Sequence, residues 1–459
     1  MNSVKYSLAR KFKSDFFSKF KLIFFFSFLI FSQQSFAVKG TVLGTAKQPI
    51  PGDDNDINLV REWSAVGTGP YFGLGATYDG SDLVVLQPNI HKDLALLKQN
   101  TYISKVTKDR VAPAAPYVQL SGLTEIQMTA QSKTRNAVDL TMANLDIDAW
   151  VNPWLTAYAN FGIESDEAKN GNFRMIQAFA TYGNLMQSPI YASIGQMFVP
   201  FGSFSTGTSE MGSVTRSVGR IYERAFSAGY YPGNGMHLSG AVYNGRTRNS
   251  RSRNLDQFAT SARYEGDILI LNSTPASFKA GVSYTNNIAE TAVMREMFNE
   301  GAVLSHFVPG ADLFLQFKVL PYVFRAEYVS ALRHFSENDI MQGPHKIKPS
   351  SLLLEVEYDF YMFGKAAAVT LHHSEADDAV ASSLVKHQAG VNTSVNILKN
   401  TLLSLEYSHR RIYSSKNAVS NVPVPDRISP LNATNVGMLN ASLNDASKNM
   451  LVATLDIFY

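Results

Sequence analysis

The sequence predicts an all-β protein: an antiparallel transmembrane β-barrel of about sixteen strands with a small N-terminal periplasmic or plug-like region. Three observations carry that class. Asn449 to Tyr459 alternates with period two up to an aromatic C-terminus, with Leu451, Ala453, Leu455, Ile457 and Tyr459 on one face and Val452, Thr454, Asp456 and Phe458 on the other. From Pro116 onward, alternating segments of roughly ten residues recur, joined by short and long connections in turn. The N-terminus reads as a secretory leader. A terminal strand of this kind, left as an edge in a soluble sheet, would invite aggregation, whereas a barrel closes it against the first strand.

Residues 1–37 form the expected signal peptide. Lys5, Arg10, Lys11, Lys13, Lys19 and Lys21 precede the apolar run Leu22 to Phe31, and Ser35-Phe36-Ala37 offers small residues for cleavage. That run is too short to span a bilayer, which needs about 20 residues. Removing six bases and one acid (Asp15) takes the net charge from +3 to 3 − 5 = −2, so the basic precursor gives no argument for nucleic acid. There are no cysteines, which excludes disulfides, thiolate metal sites and a lipidated N-terminal Cys.

Residues 38–115 read as the separate N-terminal region. Gly52 to Asn58 is an acidic loop, Pro70 to Gln87 carries two strand-like runs, Asn89 to Gln99 has a helical pattern (Ile90, Leu94, Leu97), and Lys105 to Pro116 resembles a linker. Residues 116–459 read as the barrel. Tyr117 to Thr129 sets Val118, Leu120, Ile126 and Met128 against Gln119, Ser121, Glu125 and Gln127. Asp139 to Val151 sets Ala143, Leu145, Ile147, Ala149 and Val151 against Asn144, Asp146, Asp148 and Trp150, and after the turn Asn152-Pro153 the pattern resumes through Leu155 to Glu164.

Further strands are expected near Phe173 to Gly183, Ile190 to Phe198, Arg224 to Tyr231, Met236 to Tyr243, Gln257 to Asp267, Ser277 to Tyr284, Ala311 to Val319, Tyr322 to Ser330, Ser351 to Tyr361, Lys365 to Ser374, His387 to Ile397 and Thr401 to His409. An even count puts both termini in the periplasm, on the short-turn side. Tyr158, Tyr182, Tyr191, Tyr230, Tyr231, Tyr322 and Tyr459 fall near strand ends, where aromatic girdles belong.

No catalytic motif, phosphate-binding glycine loop or metal-ligand spacing stands out, so neither an enzyme nor a cofactor or metal is expected. His372 and His373 are adjacent on a strand, point to opposite faces and cannot share an ion. What remains is a pore and its lining. Arg216, Arg220 and Arg224 recur at i, i+4, i+8 in the long Val199 to Glu223 loop; as a helix they would share one face and ring a constriction with guanidiniums. A solvated loop face is the bland alternative. Glu125, Asp146, Asp148 and Glu164 are expected in the lumen, paired with Arg174, Arg263 or Arg325. Arg246, Arg248, Arg251 and Arg253 form a basic surface loop suited to lipopolysaccharide phosphates or an anionic ligand, or are simply solvated charge.

Asp139 to Trp154 (DLTMANLDIDAWVNPW), Gly183 to Gly202 (GNLMQSPIYASIGQMFVPFG), Pro70 to Leu83 (PYFGLGATYDGSDL) and Tyr284 to Ala289 (YTNNIA) resemble the LbtU-type siderophore porin family of Gram-negative outer membranes. GQMFVPFG also echoes phosphate-selective porins. The resemblance implies a barrel of about sixteen strands without a large TonB-type plug, taking up a ferric polycarboxylate siderophore. The alternatives are a general or anion-selective porin, and a structural or adhesive surface barrel. The expected partners are therefore a ferric siderophore or small anion, outer-membrane lipid and lipopolysaccharide.

Overall fold

The computed structural model describes residues 90–98 and, in the barrel, 117–131, 137–164, 174–208, 214–249, 255–270, 274–291, 294, 303–319, 321–336, 339, 346–363, 365–379, 385–398, 401–412 and 447–458. The expected signal peptide, the readings of 38–89 and the linker all lie outside these residues.

The barrel strands are β1 (Tyr117–Gln131), β2 (Ala137–Asn152), β3 (Leu155–Glu164), β4 (Arg174–Gly183), β5 (Ile190–Phe198), β6 (Tyr222–Tyr230), β7 (Met236–Tyr243), β8 (Gln257–Ile270), β9 (Thr274–Thr285), β10 (Gly310–Val319), β11 (Tyr322–Ala331), β12 (Ser350–Met362), β13 (Lys365–Asp377), β14 (Val385–Leu398), β15 (Thr401–Ile412) and β16 (Ser447–Phe458). Each is antiparallel to its sequence neighbours, and β16 closes on β1 through the run Leu123↔Phe458 to Gln131↔Met450. Closure satisfies the backbone of the terminal strands, which lipid could not do.

Alternation decides which face each residue takes. Leu403, Leu405, Tyr407, Leu451 and Ile457 are exposed on the outside, while Ser404, Glu406, Ser408, Val452, Thr454 and Asp456 are buried inside. The same split runs through β1 and β2, with Val118, Leu120, Ile126, Met128 and Leu145 outside and Glu125, Asn144, Asp146 and Asp148 inside. A continuous apolar outer belt of this kind is solvated by lipid rather than water. Tyr182, Tyr230 and Tyr322 stand on it, as expected of girdle residues. Tyr158 and Tyr191 do not: both are buried on the inner face, because their positions fall in the lumenal parity of β3 and β5.

Short turns gather at one end, among them 184–189 and 231–235, and long connections gather at the other. Several strands run further toward the long-loop end than the apolar pattern indicates. β13 continues to Asp377 and β15 to Ile412, because hairpin pairing persists after the outward residues turn polar at His373, His409 and Arg411. Likewise β6 begins at Tyr222, before Arg224.

Glycine is required at Gly195 in β5, where φ is +145° and a Cβ would come within 2.2 Å of the Ala178 carbonyl and 2.5 Å of Phe179 Cα.

Leu405 sits on the outer face in the middle of β15. Leu405→Arg is expected to destabilise the barrel by about 2–4 kcal/mol, the midplane penalty for a lipid-facing arginine, as measured by denaturant unfolding in vesicles. No loss would place that face out of lipid.

Candidate functional site: the lumen and its constriction

The connection from β5 to β6 does not project from the barrel but folds into it. Its ends are tied where Val199 N–H donates to the Ile221 carbonyl at 3.1 Å. Between them the chain runs along the inner wall from β9 to β14. Gly202 N–H donates to Ser283 Oγ at 2.7 Å, and Ser203 and Phe204 N–H both donate to the Glu327 carboxylate at 2.7–2.9 Å. Thr206 Oγ1 and Gly207 N–H donate to Glu355, the latter at 2.7 Å, and Asn392 Nδ2 donates to the Gly207 carbonyl at 3.0 Å. Wall carboxylates thus satisfy backbone donors that no strand ladder reaches.

A Cβ at Gly207 would lie 2.5 Å from Glu357 Oε2 and 2.8 Å from Arg325 Nη1, so those side-chain ends would have to shift to admit one. Those two form a buried two-pronged pair, at 3.0 and 3.3 Å, just beneath the loop. The return leg carries a one-and-a-half-turn helix, Val214–Gly219, held to β12 by Thr215 Oγ1 and Ser351 Oγ at 2.9 Å. Phe201, Phe204, Val214, Val218 and Ile221 bury their side chains in one apolar cluster inside the barrel.

Of the three spaced arginines, the structure brings two together. Arg216 and Arg220 are both buried within the lumen, with Arg220 N–H donating to the Arg216 carbonyl at 2.9 Å and the Arg220 guanidinium 4.2 Å from the Phe198 ring centre. Arg216 is close enough to Glu125 on β1 to act on its charge. Arg224 is elsewhere: the helix ends at Gly219, and Arg224 lies on the outward, exposed face of β6 with Phe226 and Tyr230. A spacing of four fits one face of a helix and one face of a strand alike.

Glu125, Asp146 and Asp148 lie on the inner face and are buried; the side chain of Glu164 lies outside the described residues. The expected arginine partners are otherwise placed. Arg325 pairs with Glu355 and Glu357, and Arg263 Nε donates to His237 Nδ1 at 2.9 Å. Arg174's side chain is outside the described residues. Asp146 instead takes the Tyr158 hydroxyl and Asn160 Nδ2, the latter at 2.9 Å. Arg246 and Arg248 are exposed at the long-loop end, where Arg246 N–H donates to the buried Glu290 at 3.0 Å; Arg251 and Arg253 are outside the described residues. His372 is buried inside and His373 exposed outside, on opposite faces.

A second element fills the lumen near the short turns. Residues 92–98 are helical, and Leu94 and Leu97 pack on Tyr191 with Leu185 and Tyr231. Asp93 Oδ2 accepts from Ser193 Oγ at 3.0 Å, Lys92 Nζ lies 5.2 Å from the Tyr158 ring centre, and Lys98 Nζ lies 4.5 Å from that of Tyr231. His91 meets His237 edge-on at 4.9 Å between ring centres. Burial, then Arg263, His237, Lys279 and Lys98, hold the His91 imidazole well below its ordinary range. Burial likewise raises the Asp93 carboxyl.

The loop-anchoring acids Glu327 and Glu355 were not legible as such. Their parity in VFRAEYV and LLLEVEYDF marks them as lumenal, but only the fold shows what they hold. Among the described residues no group of three or more potential ligands is placed to hold a metal ion.

No family model matches the sequence. The chain is 31% identical over 378 residues to a UPF0422 protein of Coxiella burnetii, covering 80% of each. It is 25% identical over 391 residues to a UPF0422 protein of Legionella pneumophila, covering 78% of this chain and 71% of that one. Among solved structures, the barrel is similar to an anion-selective porin from Comamonas acidovorans (TM-score 0.49, 13% identity, 75% of this chain and 100% of that one). It is also similar to the outer-membrane channel DcaP of Acinetobacter baumannii (TM-score 0.44, 14% identity, 75% and 98%).

Two outcomes are expected from this arrangement. Each hydrogen bond to a charged acceptor contributes about 1.5–3 kcal/mol, so Glu327→Gln with Glu355→Gln should lower hydrogen-exchange protection of residues 203–207 at least tenfold; unchanged protection would show the loop is held otherwise. For the helix, His91 has a lower pKa docked than free, so docking is complete above about pH 6.5 and is lost as pH falls below it, by up to about 1.4 kcal/mol per unit. After correction for intrinsic rates, amides 92–98 should lose about tenfold protection from pH 7.5 to 5.5, and His91→Gln should remove most of that loss. Asp93 works in the opposite direction, weakening docking as pH rises above about 3.8, so the difference between the two proteins isolates the histidine.

Proposed function

The chain belongs to the UPF0422 family, and from that premise we propose that it is an outer-membrane pore of Gram-negative bacteria that takes up a ferric polycarboxylate siderophore without a large TonB-type plug. The observation that carries the reading is the inward-folded 199–221 loop, which narrows a barrel of sixteen strands and sets Arg216 and Arg220 inside it. An apolar outer belt suits a membrane, and only a closed barrel lets strands cross one. The short turns then face the periplasm and the long loops the outside, with both termini periplasmic.

A ferric polycarboxylate complex is a compact anion. Guanidinium forks match its carboxylates, and in a water-poor constriction they act with little screening. Transport through such a site is diffusion past a fixed charge and involves no bond making, so no catalytic group is called for. Helix 92–98 occupies the periplasmic half of the lumen beside β2–β8, which makes the resting pore narrow at two levels. The resemblance of Asp139 to Trp154 and Gly183 to Gly202 to LbtU-type porins supports the siderophore; the arginines support any small anion.

The test is single-channel conductance of the refolded protein with a ferric polycarboxylate siderophore added. The siderophore should block the current, and Arg216→Ala with Arg220→Ala should weaken the block about tenfold or more, as expected for loss of two charge-assisted contacts. Anion current indifferent to siderophore would make the protein a general or anion-selective porin. Absence of current would leave a structural barrel.

A further inference from the structure

On β13 to β16 the apolar outer belt ends along a sharp line. Leu371, Val391, Tyr407 and Leu451 form its last row there, one outward residue from each strand at the same register level. The next outward row toward the long loops is His373, Ala389, His409 and Asn449, and the one beyond it holds Glu375, His387 and Arg411. His373, Ala389, His409, Asn449 and Arg411 are exposed, and His387 is half-buried. Neighbouring β12 presents Leu354 and Leu352 opposite His373 and Glu375, so on that side the polar patch stops at β13. Three of the chain's nine histidines and an arginine thus stand together where the belt gives out.

The patch is rich in donors and short of acceptors. The one acid in its two rows, Glu375, lies against His387 at 3.7 Å. His409 Nδ1–H donates to Asn449 Oδ1 at 2.7 Å, which fixes the ring and leaves Nε2 without a bond to the described residues. His373 and Arg411 make no hydrogen bond or ion pair among the described residues. Arg411 and His387 are direct cross-strand partners, a placement in which two cations repel unless an anion joins them. Ala389 is the small member of its row, and His373 and His409 flank it from strands about 10 Å apart, twice the strand spacing. That leaves room for one phosphate group between the two rings. We infer, on the reading above that the long loops face outside, that His373, His409 and Arg411 bind a phosphate of an outer-leaflet lipopolysaccharide over Ala389.

Such an anion supplies what the patch lacks. Phosphate oxygens accept from the Arg411 fork and from imidazole N–H, and charge-assisted bonds of this kind gain strength beside hydrocarbon, where water screens them less. Basic clusters at a membrane border are the usual readers of lipid headgroups. A lipid phosphate also brings acyl chains onto Leu371, Tyr407 and Leu451, which are exposed directly below the histidine row. A free phosphate ion makes only the polar half of these contacts. Arg246 and Arg248, by contrast, belong to the connection after β7 and not to the border of the belt.

Binding of bisphosphorylated lipid A to the refolded full-length protein in detergent, read by thermophoresis, tests the site. His373→Gln, His409→Gln and Arg411→Gln together should weaken it about tenfold or more. Ala389→Asp, which keeps every donor and sets a carboxylate between the rings, should weaken it as much. Arg246→Gln with Arg248→Gln should leave it unchanged. All of these side chains are exposed, so each variant should keep its unfolding midpoint in denaturant. Undiminished affinity in either patch variant, or a loss confined to the Arg246 pair, would overturn the site. Equal binding of dephosphorylated lipid A or of phosphatidylglycerol would overturn lipopolysaccharide as the occupant, and so would displacement by inorganic phosphate. Orientation is checked separately: Arg248→Cys should react with an impermeant reagent on intact cells, and its protection would overturn the outward loops while the micelle affinities stand. Lipid A selectivity in a barrel that passes no current would uphold the site and overturn the pore.

Discussion

The lumen depends on two carboxylates in the barrel wall. Glu327 and Glu355 accept four backbone or hydroxyl donors from residues 203–207, and nothing else in the described wall offers those donors a charged partner. A loop of this length released into water would lose little by hydrating its amides; drawn inside, each unpaired amide would cost about 1–3 kcal/mol. The acids remove that cost, and they also fix where the loop lies. Arg325 serves the arrangement indirectly, since its forked pair with Glu357 and its contact with Glu355 at 3.5 Å keep three neighbouring acids from repelling one another.

Once the loop is pinned, the rest of the lumen follows by exclusion. Apolar residues on its inner side merge with Tyr158, Phe179 and Ile90 into one cluster, so the loop and the N-terminal helix are parts of a single filling rather than two separate obstacles. The helix adds its own polar fastening through Asp93 and Ser193, and burial, with the cations around it, keeps His91 neutral.

The strands were legible because period-two alternation is enforced at every residue by lipid on one side and polar groups on the other. Ile190 to Phe198 and Met236 to Tyr243 begin and end where the pattern does. Strand ends failed where the outer face leaves lipid: nothing apolar marks Glu375 or Arg411, although their backbones still pair. Arg224 was misplaced because a four-residue spacing satisfies both periods, and the deciding signal, outward Arg224, Phe226 and Tyr230 in alternation, lies downstream of it. Tyr158 and Tyr191 were misplaced by proximity to strand ends when parity was the better guide. The loop's path was not legible at all, since it is set by Glu327 and Glu355, more than a hundred residues away in sequence.

The most direct test uses the absence of native cysteine. Ser205→Cys places one thiol on the inward-folded loop, beside the segment that Glu327 and Glu355 hold to the wall. With a charged, membrane-impermeant thiol reagent added from the long-loop side, modification should abolish most of the single-channel current, because the pinned loop narrows the lumen. Current that ignores the reagent would contradict the account and place conduction away from the loop.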